Sequence, residues 1–113
     1  AAQEIVRVLK PGGYLWVEAA FMQPLHAVPY HYFNSTVWGL EELFKKLIKV
    51  ESGYLGKLSI TLEWMLNCTS IPATIGADKM KELIDYFKKL DAFVKPDEIS
   101  NVASVAYLCA KKE

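Results

Sequence analysis

The segment Glu4–Phe21, EIVRVLKPGGYLWVEAAF, decides how this chain begins to fold. Residues 1–10 carry apolar side chains at helical spacing, so they are predicted to form the end of a helix. Pro11 followed by two glycines is typical of a tight turn. The run Tyr14–Phe21 is almost continuously apolar, as in strands of α/β proteins that are covered on both faces. Helix, turn and buried strand together predict an α/β fold.

The composition excludes several classes of partner. The 113 residues include 13 basic and 13 acidic side chains, so the chain has no basic stripe for nucleic acid or anionic lipid. The uncharged stretch Ala19–Leu40 contains two prolines and two histidines, which argues against a membrane span. Cys68 and Cys109 are too far apart in sequence for a CxxC site. They are expected to be reduced, buried thiols of a cytoplasmic protein.

The rest of the chain alternates between predicted helices and strands. Thr36 is predicted to cap a helix that carries Lys45 and Lys46 near its end. Residues 57–69 fit both a strand and a helical stripe. The remaining predictions are a loop at 22–35, a strand at 48–54, a loop at 71–77, a helix from residue 77 or 78 that ends before residue 96, and a last strand at 101–110.

These segments resemble the C-terminal half of class I S-adenosylmethionine-dependent methyltransferases. RVLKPGG before an apolar strand recurs around the fifth strand of that family, and residues 23–44, QPLHAVPYHYFNSTVWGLEELF, are similar to the following loop and helix in the methyltransferase type 11 group. Residues 102–112, VASVAYLCAKK, are similar to the seventh strand, which lies antiparallel between the fifth and sixth.

The resemblance implies a partial Rossmann-like methyltransferase fold. It predicts about three strands in a mixed sheet, with the final strand antiparallel between the other two, and about four helices. Residues 1–113 then form a single partial domain, and residues 57–96 a helical insertion. We therefore favour a helix over a strand for residues 57–69.

The resemblance also implies S-adenosylmethionine as the cofactor of the parent enzyme. A nucleotide-binding glycine turn follows a strand, whereas Gly12 and Gly13 precede one, so they do not match such a turn. We expect the cofactor-binding half to be absent and no tight binding of the cofactor to this chain. Strand 14–21 would then have an open edge, which predicts self-association or pairing with the missing N-terminal half along this strand.

The loop after Phe21 carries the candidate catalytic residues. Ligands of open α/β sheets lie beyond the carboxyl ends of the strands, which places this loop on the acceptor side. His26 or His31 could take a proton from an acceptor hydroxyl or amine. The alternative is that both histidines pack within the loop through hydrogen bonds to the backbone. Their spacing of five residues does not match a helical metal site.

Four further residues are candidates for binding the acceptor. They are Glu18, Gln23, Tyr30 and Tyr32. Glu18 could also be a structural carboxylate with its hydrogen bonds satisfied. The apolar run Trp64–Leu66 is a candidate lid over the acceptor.

The sequence thus predicts the acceptor-side half of a methyltransferase that acts on a small-molecule or lipid-like acceptor. The isolated chain is expected to be inactive because the cofactor-binding half is absent. The alternative is a non-enzymatic module that uses the open strand edge for homo-oligomerisation or for binding a partner.

Overall fold

The computed structural model describes residues 1–113 and shows an α/β chain with three strands, five α-helices and two 3-10 helices. In chain order the elements are α1 (Ala2–Val8), β1 (Tyr14–Ala20), α2 (Val37–Leu43), β2 (Ile48–Leu55), α3 (Leu58–Asn67), α4 (Ile71–Ile75), α5 (Ala77–Leu90), the 3-10 helices Asp91–Phe93 and Pro96–Asn101, and β3 (Val105–Lys111). No helix combines the length and apolar character needed to cross a lipid bilayer.

The three strands form one sheet in the order β1-β3-β2. Leu108 at the centre of β3 is opposite Val17 of β1 and Ser52 of β2. The final strand therefore lies between the other two, antiparallel to both, as predicted. The prediction of a mixed sheet is wrong, because β3 separates β1 from β2 and both ladders are antiparallel.

The core lies between one face of this sheet and the helices α1 and α2. Alternate side chains of β3 point into it, and α2 lies across them, while α1 contributes half-buried apolar side chains. The buried side chains of this core are Val37, Leu40, Phe44, Leu47, Ala106, Leu108 and Ala110.

Side-chain hydrogen bonds stabilise one end of each helix that covers the sheet, the N-terminus of α2 and the C-terminal end of α1. The side chain of Thr36 accepts a hydrogen bond from the backbone N–H of Gly39 at 3.1 Å, so Thr36 caps α2 as predicted. The Nζ of Lys112 donates to the carbonyl oxygens of Val6 at 2.7 Å and Leu9 at 2.8 Å. Lys112 thus satisfies a carbonyl of the last turn of α1 and that of the residue which follows the helix.

The opposite face of the sheet is open, contrary to the prediction that strand 14–21 is covered on both faces. Tyr14 and Trp16 expose 61% and 54% of their surface. The reason is that α1 and α2 lie on the same face. Helices α3, α4 and α5 pack on one another instead of on the open face.

The segment between β2 and β3 is helical, so the preference for a helix at residues 57–69 is confirmed. The loop predicted at residues 71–77 is wrong, since α4 occupies Ile71–Ile75. Pro72 is compatible with this short helix because it lies in the first turn, where its missing N–H has no intrahelical role.

Two smaller predictions are also corrected. Helix α2 ends at Leu43, so Lys45 and Lys46 lie beyond it rather than in its last turn. Cys68 is exposed and Cys109 half-buried, so neither is the buried thiol that was predicted.

The chain has a radius of gyration of 17.3 Å, larger than the roughly 13 Å of a compact domain of this length. Much apolar surface is therefore exposed.

Candidate functional site

The segment between β1 and α2, residues 21–35, is called the histidine loop here, and it folds back onto the strand that it leaves. The N–H of Ser35 donates to the carbonyl oxygen of Ala20 at 2.7 Å, which joins the two ends of the loop. Gln23 donates from Nε2 to the carbonyl oxygen of Ser104 at 2.8 Å, next to β3. The loop is therefore tied to the ends of two adjacent strands.

Asn34 links separate parts of the loop through its side-chain amide. Its Nδ2 donates to the carbonyl oxygens of Phe21 at 2.8 Å and Gln23 at 3.1 Å. With both amide hydrogens engaged by carbonyl oxygens, the Oδ1 atom of Asn34 is turned toward His31 and bonds to its Nε2. The sequence did not single out Asn34 as a site residue, although an amide three residues after a histidine was the available signal.

His31 uses both ring nitrogens within the loop. Its Nδ1 accepts the backbone N–H of His26 at 3.0 Å and therefore carries no proton. The proton of the neutral ring is on Nε2, which donates to Oδ1 of Asn34. His31 thus matches the alternative in which a histidine packs in the loop through hydrogen bonds.

His26 uses only one ring nitrogen. Its Nδ1 lies 2.9 Å from the carbonyl oxygen of Pro24, and because a carbonyl can only accept, Nδ1 carries the proton. Nε2 of His26 makes no hydrogen bond, and the side chain is exposed. In the neutral ring this nitrogen holds a free lone pair that can accept a proton.

Trp64 of α3 lies beside this histidine pair. The ring centroids of His26 and His31 are 4.4 Å apart at an interplanar angle of 64°, and the Trp64 ring is 5.4 Å from that of His26. One residue of the candidate lid Trp64–Leu66 is therefore in place at the loop. An acceptor that bound at His26 would therefore lie near an aromatic ring.

The structure does not join the other candidate residues to the histidines through side-chain hydrogen bonds. Tyr30 and Tyr32 are 74% and 77% exposed and make no side-chain hydrogen bond. The amide of Gln23 is engaged with Ser104 and positions the loop. Tyr30 and Tyr32 remain candidates for contacting an acceptor, whereas the observed role of the Gln23 amide is structural.

Glu18 lies on the open face of the sheet, with no side-chain hydrogen bond to the histidine loop. It accepts a hydrogen bond from Nε1 of Trp16 at 3.0 Å and is opposite Tyr107 in the sheet register. Side chains alternate along a strand, so Glu18 shares the uncovered face with Trp16. The one side-chain hydrogen bond of Glu18 comes from Trp16, as for a structural carboxylate, and its contact with an acceptor stays a prediction.

No glycine turn with room for a ligand follows β1 or β2. The histidine loop, which follows β1, contains no glycine. Gly56 follows β2 and precedes α3, but a Cβ atom there would lie 2.9 Å from the backbone nitrogen of Ser104. Its small size therefore serves close chain packing rather than the approach of a ligand. The chain also brings together no group of three or more His, Cys, Asp or Glu side chains that could hold a metal ion.

Comparison of the chain with protein-family models, with curated proteins and with solved structures found no match.

Proposed function

We propose that this chain is the acceptor-side part of a class I S-adenosylmethionine-dependent methyltransferase with a partial Rossmann-like fold. The strand order β1-β3-β2 carries the proposal. Strands that are consecutive in sequence are neighbours in space in about two-thirds of cases, yet here β1 and β2 are separated by the last strand. An antiparallel last strand inserted between its two predecessors is the arrangement that the resemblance implies.

The histidine loop supplies the acceptor side of this proposal. It follows the carboxyl end of β1, where open α/β sheets place their ligands. The exposed rings of Tyr30 and Tyr32 provide apolar surface for a small-molecule or lipid-like acceptor. His26 provides a nitrogen with a free lone pair. Together these groups can bind an acceptor and take a proton from it.

The binding site of the methyl donor is assigned to residues outside this chain. S-adenosylmethionine carries the methyl group in the enzymes that the sequence resembles, and neither β1 nor β2 is followed here by a glycine turn with room for a ligand. The isolated chain is therefore proposed to be inactive. The predicted cytoplasmic location stays a prediction.

The test is the coding sequence upstream of Ala1 together with calorimetry. A buried strand followed by a glycine-rich turn and a helix upstream would support the proposal, and we expect no micromolar binding of S-adenosylmethionine to residues 1–113. Micromolar binding to this chain alone would contradict the assignment of the donor site. An upstream sequence without such a unit would contradict the methyltransferase proposal.

The open edge of β1 favours a second function, a module that self-associates. Gly13 and Phe21 direct their backbone groups to β3, with hydrogen bonds of 2.9 Å to Lys112 and Ser104. Alternation along an antiparallel ladder then turns the N–H and C=O groups of Tyr14, Trp16 and Glu18 outward, where no strand pairs with them. Unpaired edges of this kind pair readily with another chain.

A proline at Trp16 tests this second function. Because the N–H of Trp16 points outward, Trp16→Pro removes an edge donor without removing a bond to β3. The control Trp16→Val loses the ring but keeps the N–H. If the edge mediates self-association, light scattering should show a smaller oligomer for the proline variant and not for the valine variant. A monomeric parent chain at all concentrations would contradict the second function.

A further inference from the structure

We propose that Nε2 of His26 is the proton-accepting nitrogen of the histidine loop and that His31 and Asn34 are positioning residues. The acceptor would be a molecule with a hydroxyl or amine on an apolar ring or chain. The inference rests on the proposed acceptor-side function, and it separates two histidines that the sequence left equivalent.

Fixed backbone groups determine where the protons of both histidine rings lie. The carbonyl oxygens of Phe21 and Gln23 orient the amide of Asn34, whose Oδ1 accepts from Nε2 of His31. Separately, the carbonyl oxygen of Pro24 holds the proton of His26 on Nδ1. Because backbone carbonyls cannot donate, each ring has one consistent proton position, and Nε2 of His26 is the only ring nitrogen left with a free lone pair.

His31 is unsuited to accept a proton in this arrangement. A proton on its Nδ1 would face the backbone N–H of His26, so two donors would meet and the bond of 3.0 Å would be lost. His31 instead fixes the backbone at His26. Its interaction with Asn34 in turn holds the His31 ring. The residues that position His26 are therefore His31 directly and Asn34 through His31.

His26 can take a proton without losing any contact of the loop. The proton moves from the O–H or N–H of the acceptor to Nε2, and its electron pair stays on the acceptor oxygen or nitrogen, which becomes the nucleophile. The ring becomes an imidazolium whose Nδ1–H still donates to the carbonyl oxygen of Pro24. That bond gains strength once the donor is charged.

The surroundings of His26 indicate the class of acceptor. The Trp64 ring lies 5.4 Å from the His26 ring, and the segment Ala19–Leu40 carries no charged side chain. A charged acceptor would find no counter-ion in this segment, whereas an aromatic ring can pack beside Trp64. A phenol-like acceptor meets both conditions, because it presents one hydroxyl on an apolar body.

The proton positions are tested by nuclear magnetic resonance of the ¹⁵N-labelled chain with neutral imidazoles. We expect His26 in the Nδ1–H form and His31 in the Nε2–H form. Diethyl pyrocarbonate, which attacks unprotonated ring nitrogens, should modify His26 roughly tenfold faster than His31, a factor that corresponds to the loss of one hydrogen bond. An Nε2–H form of His26, or equal modification of both rings, would overturn the proposal.

The acceptor class is tested with phenol and anisole as a matched pair of probes. Phenol should shift the Nε2 resonance of His26, whereas anisole, which has no hydroxyl proton to donate, should leave it within error. Trp64→Ala should weaken the phenol response, and Tyr86→Ala, a substitution of an exposed ring on α5, serves as its control. Equal responses to the two probes, or a response at His31 instead, would overturn the assignment.

A third measurement tests the positioning role of Asn34. Asn34→Ala should raise the modification rate of His31 toward that of His26, because a ring that Asn34 no longer holds can turn its unprotonated Nδ1 away from the N–H of His26. Asn34→Gln, which keeps the amide, is the conservative control. If the proton positions are as stated but no methyl transfer is found in the full-length enzyme, the proposed function fails while the assignment of the reactive nitrogen stands.

Discussion

The indole ring of Trp16 stacks on the ring of Tyr107 across β1 and β3, with centroids 4.9 Å apart and planes inclined by 15°. Each ring is also held by a carboxylate. Nε1 of Trp16 donates to Glu18 at 3.0 Å, and the hydroxyl of Tyr107 donates to Glu51 at 2.6 Å. The open face of the sheet therefore carries an ordered pair of aromatic rings with two acidic groups.

The first prediction concerns the ionisation of Tyr107. The hydrogen bond to Glu51 raises the pKa of Tyr107 above its ordinary value of 10.0, with smaller contributions from desolvation and from the charge of Glu51. A raised pKa stabilises the folded state below pH 10, and this contribution is lost as the pH rises through the folded value. Glu51→Gln should return the pKa of Tyr107 toward 10.0. Alkaline titration followed by ultraviolet absorbance measures it, with Glu113→Gln as the control.

The second prediction concerns the link between α3 and the 3-10 helix that follows α5. The carboxylate of Asp91 accepts the backbone N–H of Ser59 at 2.9 Å and its hydroxyl at 2.6 Å, and Ser59 is buried. Asp91→Ala leaves both donors unsatisfied and should lower the free energy of unfolding by about 1–3 kcal/mol.

Asp85→Ala is the matched control for Asp91. Asp85 forms an exposed ion pair with Lys81, and such pairs contribute about 0–1 kcal/mol. Urea denaturation of both variants measures the difference. Equal losses would show that the bonds of Asp91 to Ser59 do not stabilise α3.

The third prediction concerns the core beneath β3. Leu108 is 2% exposed and lies at the centre of the only covered face of the sheet. Leu108→Ala should cost about 2–5 kcal/mol of unfolding free energy, because it removes buried methyl groups and leaves a cavity. Val50→Ala, at a site that is 56% exposed, should cost far less. Similar losses in thermal unfolding would mean that this face does not form the stabilising core.

The fourth prediction concerns stability in acid. Hydrogen bonds from Ser52 and then Lys49 hold the pKa of Glu41 below its ordinary value of 4.5. A lowered pKa gives stability that is present above pH 4.5 and is lost as the pH falls through the folded value. The stability difference between the parent chain and Glu41→Gln should therefore vanish in acid. Urea midpoints across this pH range measure it, and a constant difference would contradict the prediction.

Residue patterns were sufficient to predict the elements whose structure depends on local conformational preferences. The helix, Pro-Gly-Gly turn and apolar run of Glu4–Phe21 predicted α1 and β1, and Thr36 marked the start of α2. For residues 57–69 the apolar pattern fitted both a strand and a helix, so the prediction of a helix came from the family resemblance. The position of the last strand came from the resemblance, since alternation within a strand carries no information about which strands will be its neighbours.

The sequence by itself determined α1, β1, the start of α2 and the loop that contains both histidines, because spacing, capping and turn preferences act over a few residues. Only the tertiary structure decided which face of β1 is covered, and therefore that Glu18 shares the open face with Trp16. It also decided which histidine has a free nitrogen. That distinction depends on which backbone groups lie within hydrogen-bond distance of each ring, here the carbonyl oxygen of Pro24 and the N–H of His26, and these positions cannot be read from residue types alone.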